Sequence, residues 1–160
     1  MATLDINVNA VPEADQVYVD RLRTFINDTA ALNDLLEAEE STDLYLYHCL
    51  QDALDELNYE ITPSSVNYST LAAVPSWNVL KMGATLQVLT GKGIGSSRNT
   101  VSYNDSGNLQ MKDQDVFGRY INYYNILVAK HLRAAQAMKL ASNMDDAWGG
   151  SASEYSNEAY

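Results

Sequence analysis

Apolar side chains recur every three or four positions along most of this 160-residue chain, and that spacing places them on one face of a helix. Four such runs occur, and they begin near Pro12, Ser41, Ser76 and Asp113. Proline suits the first turn of a helix, and Ser and Asp are favoured as N-caps. The predicted fold class is therefore mainly α, a helical bundle of about four helices.

The first two predicted helices each carry one apolar side. The first runs from Pro12 to about Asn27 and the second from Ser41 to about Asn58. Their apolar positions are Val17, Leu22, Phe25 and Ile26 in the first helix, and Leu44, Tyr47, Leu50, Leu54 and Leu57 in the second. Residues 59–75 contain two prolines and many small polar residues, which predicts a long loop with room for one helical turn.

The third predicted helix, from Ser76 to Gly91, is apolar on more than one side and is expected to be central. Gly83 lies within it and would allow close approach of a neighbouring helix. The fourth runs from Gln114 to about Asn143, so at about 1.5 Å per residue it is long enough to project from the bundle. Its apolar stripe consists of Val116, Phe117, Tyr120, Ile121, Tyr124, Leu127, Val128, Leu132, Ala135 and Met138.

Residues 99–112, between the third and fourth helices, alternate apolar and polar side chains as a half-buried β-hairpin does. Gly107 suits the left-handed position of a three-residue loop. Pairing the two strands around this loop puts four apolar side chains on one face: Val101, Tyr103, Leu109 and Met111. Because an isolated hairpin is marginally stable in water, this face is expected to pack on its own helices or on a neighbouring subunit.

Three glycines, Gly91, Gly93 and Gly95, precede the hairpin. They are predicted to end the third helix and to give the hairpin a hinge. A phosphate-binding loop is the alternative, but its pattern requires Ser or Thr after the lysine and a strand before the loop. Lys92 is followed by glycine and preceded by a helix, which favours the helix cap and hinge.

The C-terminal segment, residues 143–160, is rich in Ser, Gly and acidic residues and is predicted to form an extended arm. Trp148, Tyr155 and Tyr160 are side chains of the kind that anchor a flexible segment in a partner's groove, although a frayed terminus is the alternative. The predicted organisation is one helical domain at 1–142, which includes the hairpin at about 99–112, followed by the arm.

Charge is divided unevenly along the chain. Residues 1–60 contain fourteen acidic and two basic side chains, whereas residues 61–144 contain three acidic and eight basic ones. An acidic lobe beside a basic lobe can attract copies of the same chain head to tail, and it can equally be a solvated surface. The net charge of −11 disfavours free nucleic-acid binding because it repels phosphate.

Residues suited to catalysis or metal binding are few. His48 and His131 are the only histidines, Cys49 is the only cysteine, and no spacing typical of zinc ligands occurs. No nucleophile, histidine and acid are arranged for catalysis. We therefore expect a protein that is not an enzyme and that has no catalytic residues, no metal and no cofactor.

Three features predict a protein that is made and folded in the cytoplasm. The single Cys49 excludes an internal disulfide. The N-terminus lacks the basic and then apolar pattern of a signal peptide. No apolar run approaches the roughly 20 residues that a membrane helix needs.

The layout resembles the adaptor proteins of tailed-bacteriophage head–tail connectors, which form part of the neck of the virion. The resemblance covers most of the chain and is one of layout and composition. Its features are an acidic N-terminal helical part, a helix at 42–58, a central helix, a protruding segment, a long final helix and an aromatic-bearing tail. In that family, small helical subunits form a ring, usually of twelve, under the portal protein.

The resemblance implies a structural virion protein that is assembled in the host cytoplasm as a ring of identical subunits between portal and tail. Residues 143–160 would bind the portal, and the hairpin at 99–112 would contact a neighbouring subunit or the next neck or tail protein. DNA would pass through the channel as cargo only, and no membrane would be involved. The alternative is a soluble cytoplasmic binding module, such as an acidic regulatory or inhibitor protein.

Overall fold

The computed structural model describes residues 10–31, 39–62, 66–98 and 114–148. Within these ranges the chain forms four α-helices: α1 (Glu13–Ile26), α2 (Asp43–Asp55), α3 (Trp77–Arg98) and α4 (Gln114–Trp148). A π-helical segment (Glu56–Glu60) directly continues α2, and a 3-10 turn (Leu71–Ala73) lies in the connection to α3. The mainly α fold is confirmed, as is the helical turn in the long connection.

The centre of the bundle consists of α2 and α3. α3 contacts each of the other three helices, as its two-sided apolar pattern predicts. On α2, the leucines at the C-terminal end of the predicted stripe are buried, whereas Leu44 and Tyr47 are half-buried. Leu46, Cys49 and Ala53 are also buried, because α1 covers α2 on one side and α3 covers it on the other.

A buried arginine holds α1 against the start of α2. Arg23 Nη2 donates to the Ser41 carbonyl oxygen at 2.8 Å and lies 2.7 Å from Asp43 Oδ1. Its Nη1 lies 3.5 Å from the carboxylate of Asp28, which accepts from the backbone N–H groups of Glu40 and Ser41. Burial acts to raise the pKa of Asp28, but these hydrogen bonds outweigh it and leave the pKa lowered.

The caps at the start of α2 and at the end of α1 lie where the sequence predicts them. Thr42 Oγ1 accepts a 3.2 Å hydrogen bond from the Tyr45 backbone N–H at the start of α2. Asn27 caps the C-terminal end of α1, and its φ of 57° puts it in the left-handed region that asparagine tolerates.

The predicted apolar side of α1 is partly wrong. Val17 and Phe25 are exposed, at 52% and 41%, and Val19 is buried in their place beside the predicted Leu22. The exposed Phe25 ring is covered in part by the Lys81 ammonium group, which lies 4.4 Å from the ring centre. The buried side of α1 turns toward Arg23, because that side chain makes the polar contacts with the start of α2.

The prediction that α3 ends at Gly91 or Gly93 is also wrong. α3 continues through all three glycines to Arg98, so they form no hinge. A Cβ at Gly91 would collide with the Tyr45 hydroxyl, and Gly93 is buried. A glycine within a helix costs up to about 1 kcal/mol relative to alanine, and packing of α3 against its neighbours offsets this cost.

α4 begins at Gln114, as predicted, but it ends at Trp148 rather than near Asn143. Residues 143–148 are therefore helical, and the prediction of an extended arm is wrong for them. The hairpin at 99–112 and residues 149–160 lie outside the described residues. At about 1.5 Å per residue, the helix is roughly 50 Å long.

Candidate interaction surface

α4 is attached to the bundle along one side. On that side His131, Ala135 and Lys139 are fully buried. A Cβ at Gly83 of α3 would lie 3.0 Å from His131 Cε1 and 3.1 Å from the Cβ of Ala53 on α2. The close approach predicted at Gly83 is confirmed, and His131 lies in the helix interface.

Lys139 fixes the C-terminal half of α4 to the π-helical segment that continues α2. Its Nζ donates to the carbonyl oxygens of Leu57 at 2.5 Å and Ile61 at 2.6 Å. The last carbonyl groups of a helix have no donor within the helix, so this ammonium group acts as a cap supplied by another element. Desolvation lowers the pKa of Lys139. Nearby, the Tyr68 hydroxyl lies 3.2 Å from Ser142 Oγ, a second tie between α4 and the chain that follows α2.

The other side of α4 is exposed and has a regular pattern of its own, which we call the outward face of α4. Its eight positions lie alternately four and three residues apart, the spacing of a helix that packs in a coiled coil. They are Arg119, Tyr123, Ile126, Lys130, Arg133, Ala137, Leu140 and Met144, and all eight are exposed.

The outward face combines large apolar side chains with basic ones. Tyr123, Ile126, Leu140 and Met144 are exposed by 61%, 56%, 54% and 60%. Lys130 and Arg133, the two basic residues in the middle of the face, make no salt bridge within the described ranges. Exposed apolar side chains at both ends make the outward face a candidate interaction surface, and the basic residues at its centre are complementary to an acidic surface.

The exposed side of α2 carries the opposite charge. His48, Asp52 and Asp55, with Tyr59 in the π-helical segment, are exposed and lie four, three and four residues apart. We call this the acidic face of α2. Tyr59 is 78% exposed, and neither aspartate forms a salt bridge with another described residue. A single copy of the chain therefore presents two surfaces of complementary charge.

An apolar groove lies between the C-terminal part of α3 and the N-terminal part of α4. Its volume is about 360 Å³, and it is lined by Leu89, Thr90, Gly93, Ile94, Tyr120, Ile121 and Tyr124. Ile121 and Tyr124, which belong to the predicted core stripe, line this groove and are exposed by 41% and 38%. Farther along the stripe Leu132 is also exposed, at 40%, and among the stripe positions whose burial the structure describes only Ala135 is fully covered.

The buried polar groups around His131 connect neighbouring helices. His131 Nε2 lies 3.6 Å from Glu56 Oε1, and Gln87 Nε2 donates to Glu56 Oε2 at 3.3 Å. His131 is fully buried, so a substrate cannot reach it in this structure. Burial raises the pKa of the Cys49 thiol to about 11, which disfavours the reactive thiolate. Among the described residues, no cluster of three His, Cys, Asp or Glu side chains is placed to hold a metal ion.

Most residues predicted to make contacts lie outside the described ranges: Val101, Tyr103, Leu109, Met111, Tyr155 and Tyr160. Trp148 is the last residue of α4. The outward face of α4 was not predicted, because the apolar stripe from Val116 to Met138 already accounts for the helix. The signal was present as a second row at alternating spacings of four and three, from Arg119 to Met144.

None of the helices in the described ranges combines the length and the apolar character that crossing a membrane requires. No protein-family model, curated protein or solved structure matches this chain.

Proposed function

We propose that this protein is a structural assembly subunit that binds copies of itself, in the manner of the adaptor rings of phage head–tail connectors. The observation that supports this most strongly is the outward face of α4. A helix that only covered a core would be polar on its outer side, whereas this one exposes four large apolar side chains there. The uneven charge of the chain is the second observation, because the acidic face of α2 is a surface to which such a basic face can bind.

In such a ring the role of the protein is architectural. The ring would seal the portal, pass its symmetry on to the tail and surround the DNA channel. The net charge of −11 would keep DNA from binding as it passes. Residues 149–160, which follow the end of α4, would reach the portal, and Tyr155 and Tyr160 would be the anchors. The segment at 99–112 would contact the next protein of the neck.

The mass of the particle in solution tests the proposal. We expect multi-angle light scattering and negative-stain microscopy to show a ring-sized oligomer, either of this protein alone or in the presence of a phage portal protein. Replacing both Ile126 and Leu140 by Asp should leave the helical circular dichroism intact and abolish the oligomer. Asn125→Asp is the matched control, because Asn125 is exposed on α4 but lies off the outward face. A strict monomer under both conditions would contradict the proposal.

A second candidate is an acidic binding module that mimics nucleic acid. The exposed acidic face of α2 favours it, since regularly spaced carboxylates can occupy a basic groove. This protein would be a monomer that forms a one-to-one complex with a nucleic-acid-binding protein. Competition with DNA for that complex would distinguish it from the assembly subunit.

A further inference from the structure

We propose that copies of this chain join head to tail, with the acidic face of α2 of one copy packed on the outward face of α4 of the next. This inference rests on the proposed function, because it names the two surfaces through which the subunits would bind. It is carried by a match in spacing, a match in charge and the exposure of both faces.

The two faces have the same spacing at their centres. Four consecutive positions of the outward face, from Ile126 to Ala137, lie four, three and four residues apart, as do the four positions of the acidic face. An antiparallel arrangement of the two helices brings the matching positions together. The resulting pairs are Tyr59 with Ile126, Asp55 with Lys130, Asp52 with Arg133 and His48 with Ala137.

Charge favours this pairing over the pairing of two outward faces. An antiparallel pair of α4 helices that buries Ile126 against Leu140 also sets Arg133 opposite its own copy. A parallel pair sets every basic residue opposite itself. Like charges that face each other across an interface suppress association, whereas Lys130 and Arg133 against two aspartates steer it.

The placement of the two faces on different helices also limits how copies can assemble. The outward face belongs to α4 and the acidic face to α2, and both are exposed in the same subunit. The two faces of one copy therefore do not cover each other, and each is available to another copy. Contacts between unlike faces build a ring if the rotation closes, and a filament if it does not.

Charge reversal tests the pairing. Lys130→Glu with Arg133→Glu makes both faces acidic, and Asp52→Lys with Asp55→Lys makes both basic. We expect each variant alone to weaken self-association by at least about tenfold, as truncation or reversal of close interfacial charge pairs does. An equimolar mixture of the two variants should assemble again, because an acidic α4 then meets a basic α2. Asp20→Lys, an exposed change on α1, is the control and should assemble like the wild type.

The outcomes separate this inference from the proposed function. If the wild type assembles but the mixture of reversed variants does not, the pairing of α2 with α4 is overturned and the assembly function stands. Unchanged assembly of either reversed variant alone would also overturn the pairing. If the wild type forms no oligomer, alone or with a portal, the proposed function itself fails. Circular dichroism of each variant confirms that it is folded before its assembly is measured.

Discussion

At Gly83 a single missing Cβ sets the distance between helices. A Cβ at this position would lie 3.0 Å from His131 and 3.1 Å from Ala53, so any larger side chain must displace a buried neighbour. We predict that Gly83→Val lowers the free energy of unfolding by about 1–3 kcal/mol, the usual effect of overpacking a core. Urea denaturation followed by circular dichroism measures this change.

Gly95 provides the control, because it lies in the same helix and a Cβ there meets nothing within 4 Å. Gly95→Ala should raise the free energy of unfolding by up to about 1 kcal/mol, through helix propensity and a less flexible unfolded chain. Equal destabilisation at the two glycines would show that helix–helix distance is not what Gly83 controls.

The glycines also show why the role of a residue can be predicted from its type and position at one site and not at another. Gly83 lies far from either end of its apolar run, so close packing was the main remaining reason for a glycine there. Gly91 and Gly93 follow the last large apolar residues of the run, where helices commonly end at glycine. The contact that explains Gly91 comes from the Tyr45 hydroxyl, 46 positions earlier in the chain. No local pattern contains that information.

At the scale of elements, Lys139 attaches α4 to the π-helical segment that continues α2. We predict that Lys139→Met lowers the free energy of unfolding by about 2–3 kcal/mol, because it leaves buried carbonyl oxygens of Leu57 and Ile61 without a donor. Gln136→Met, an exposed change on the same helix at a position off the outward face, should have little effect. Denaturant unfolding of the two variants makes the comparison.

The contribution of Lys139 to the free energy of unfolding also depends on pH. The pKa of Lys139 is lowered in the folded protein, so the unfolded chain holds the proton more tightly between that lowered value and 10.5. Wild-type stability contributed by this group therefore rises as the pH increases through that window. The stability difference between wild type and Lys139→Met should widen toward pH 10.5, and a constant difference would contradict burial of the charged amine.

The helices were predictable as elements because their apolar spacing and caps are local. Thr42, for example, caps α2 through a backbone group only three residues away. The orientation of each helix was harder to predict, because it depends on neighbours. Arg23 of α1 points into the interior. Its partners there are Ser41, just before α2, and Asp43, the first residue of α2. Apolar periodicity locates one face of a helix. It does not show that a buried ion pair changes which side is turned to the core, or that a second row of apolar residues is exposed.

At the scale of the whole molecule, the structure shows where the acidic and basic parts of the sequence lie on the surface. The acidic residues of the first part include the exposed pair on α2, and the basic residues of the later part include the exposed pair on α4. Both pairs lie in rows that also carry exposed apolar side chains, Tyr59 on one and Ile126 on the other. Charge can therefore set the register and rate of association, while burial of the apolar side chains holds the complex together.

An assembly built from two unlike faces can be stopped at two copies. One variant, Ile126→Asp with Leu140→Asp, keeps only the acidic face of α2. Another, Asp52→Arg with Tyr59→Ser, keeps only the outward face of α4. We predict that each is monomeric alone and that a mixture forms a heterodimer and nothing larger, because the single intact pair of faces is used once. Sedimentation velocity resolves these species. If the second variant alone formed a dimer, the outward faces of α4 would be binding each other, since its acidic face is disabled.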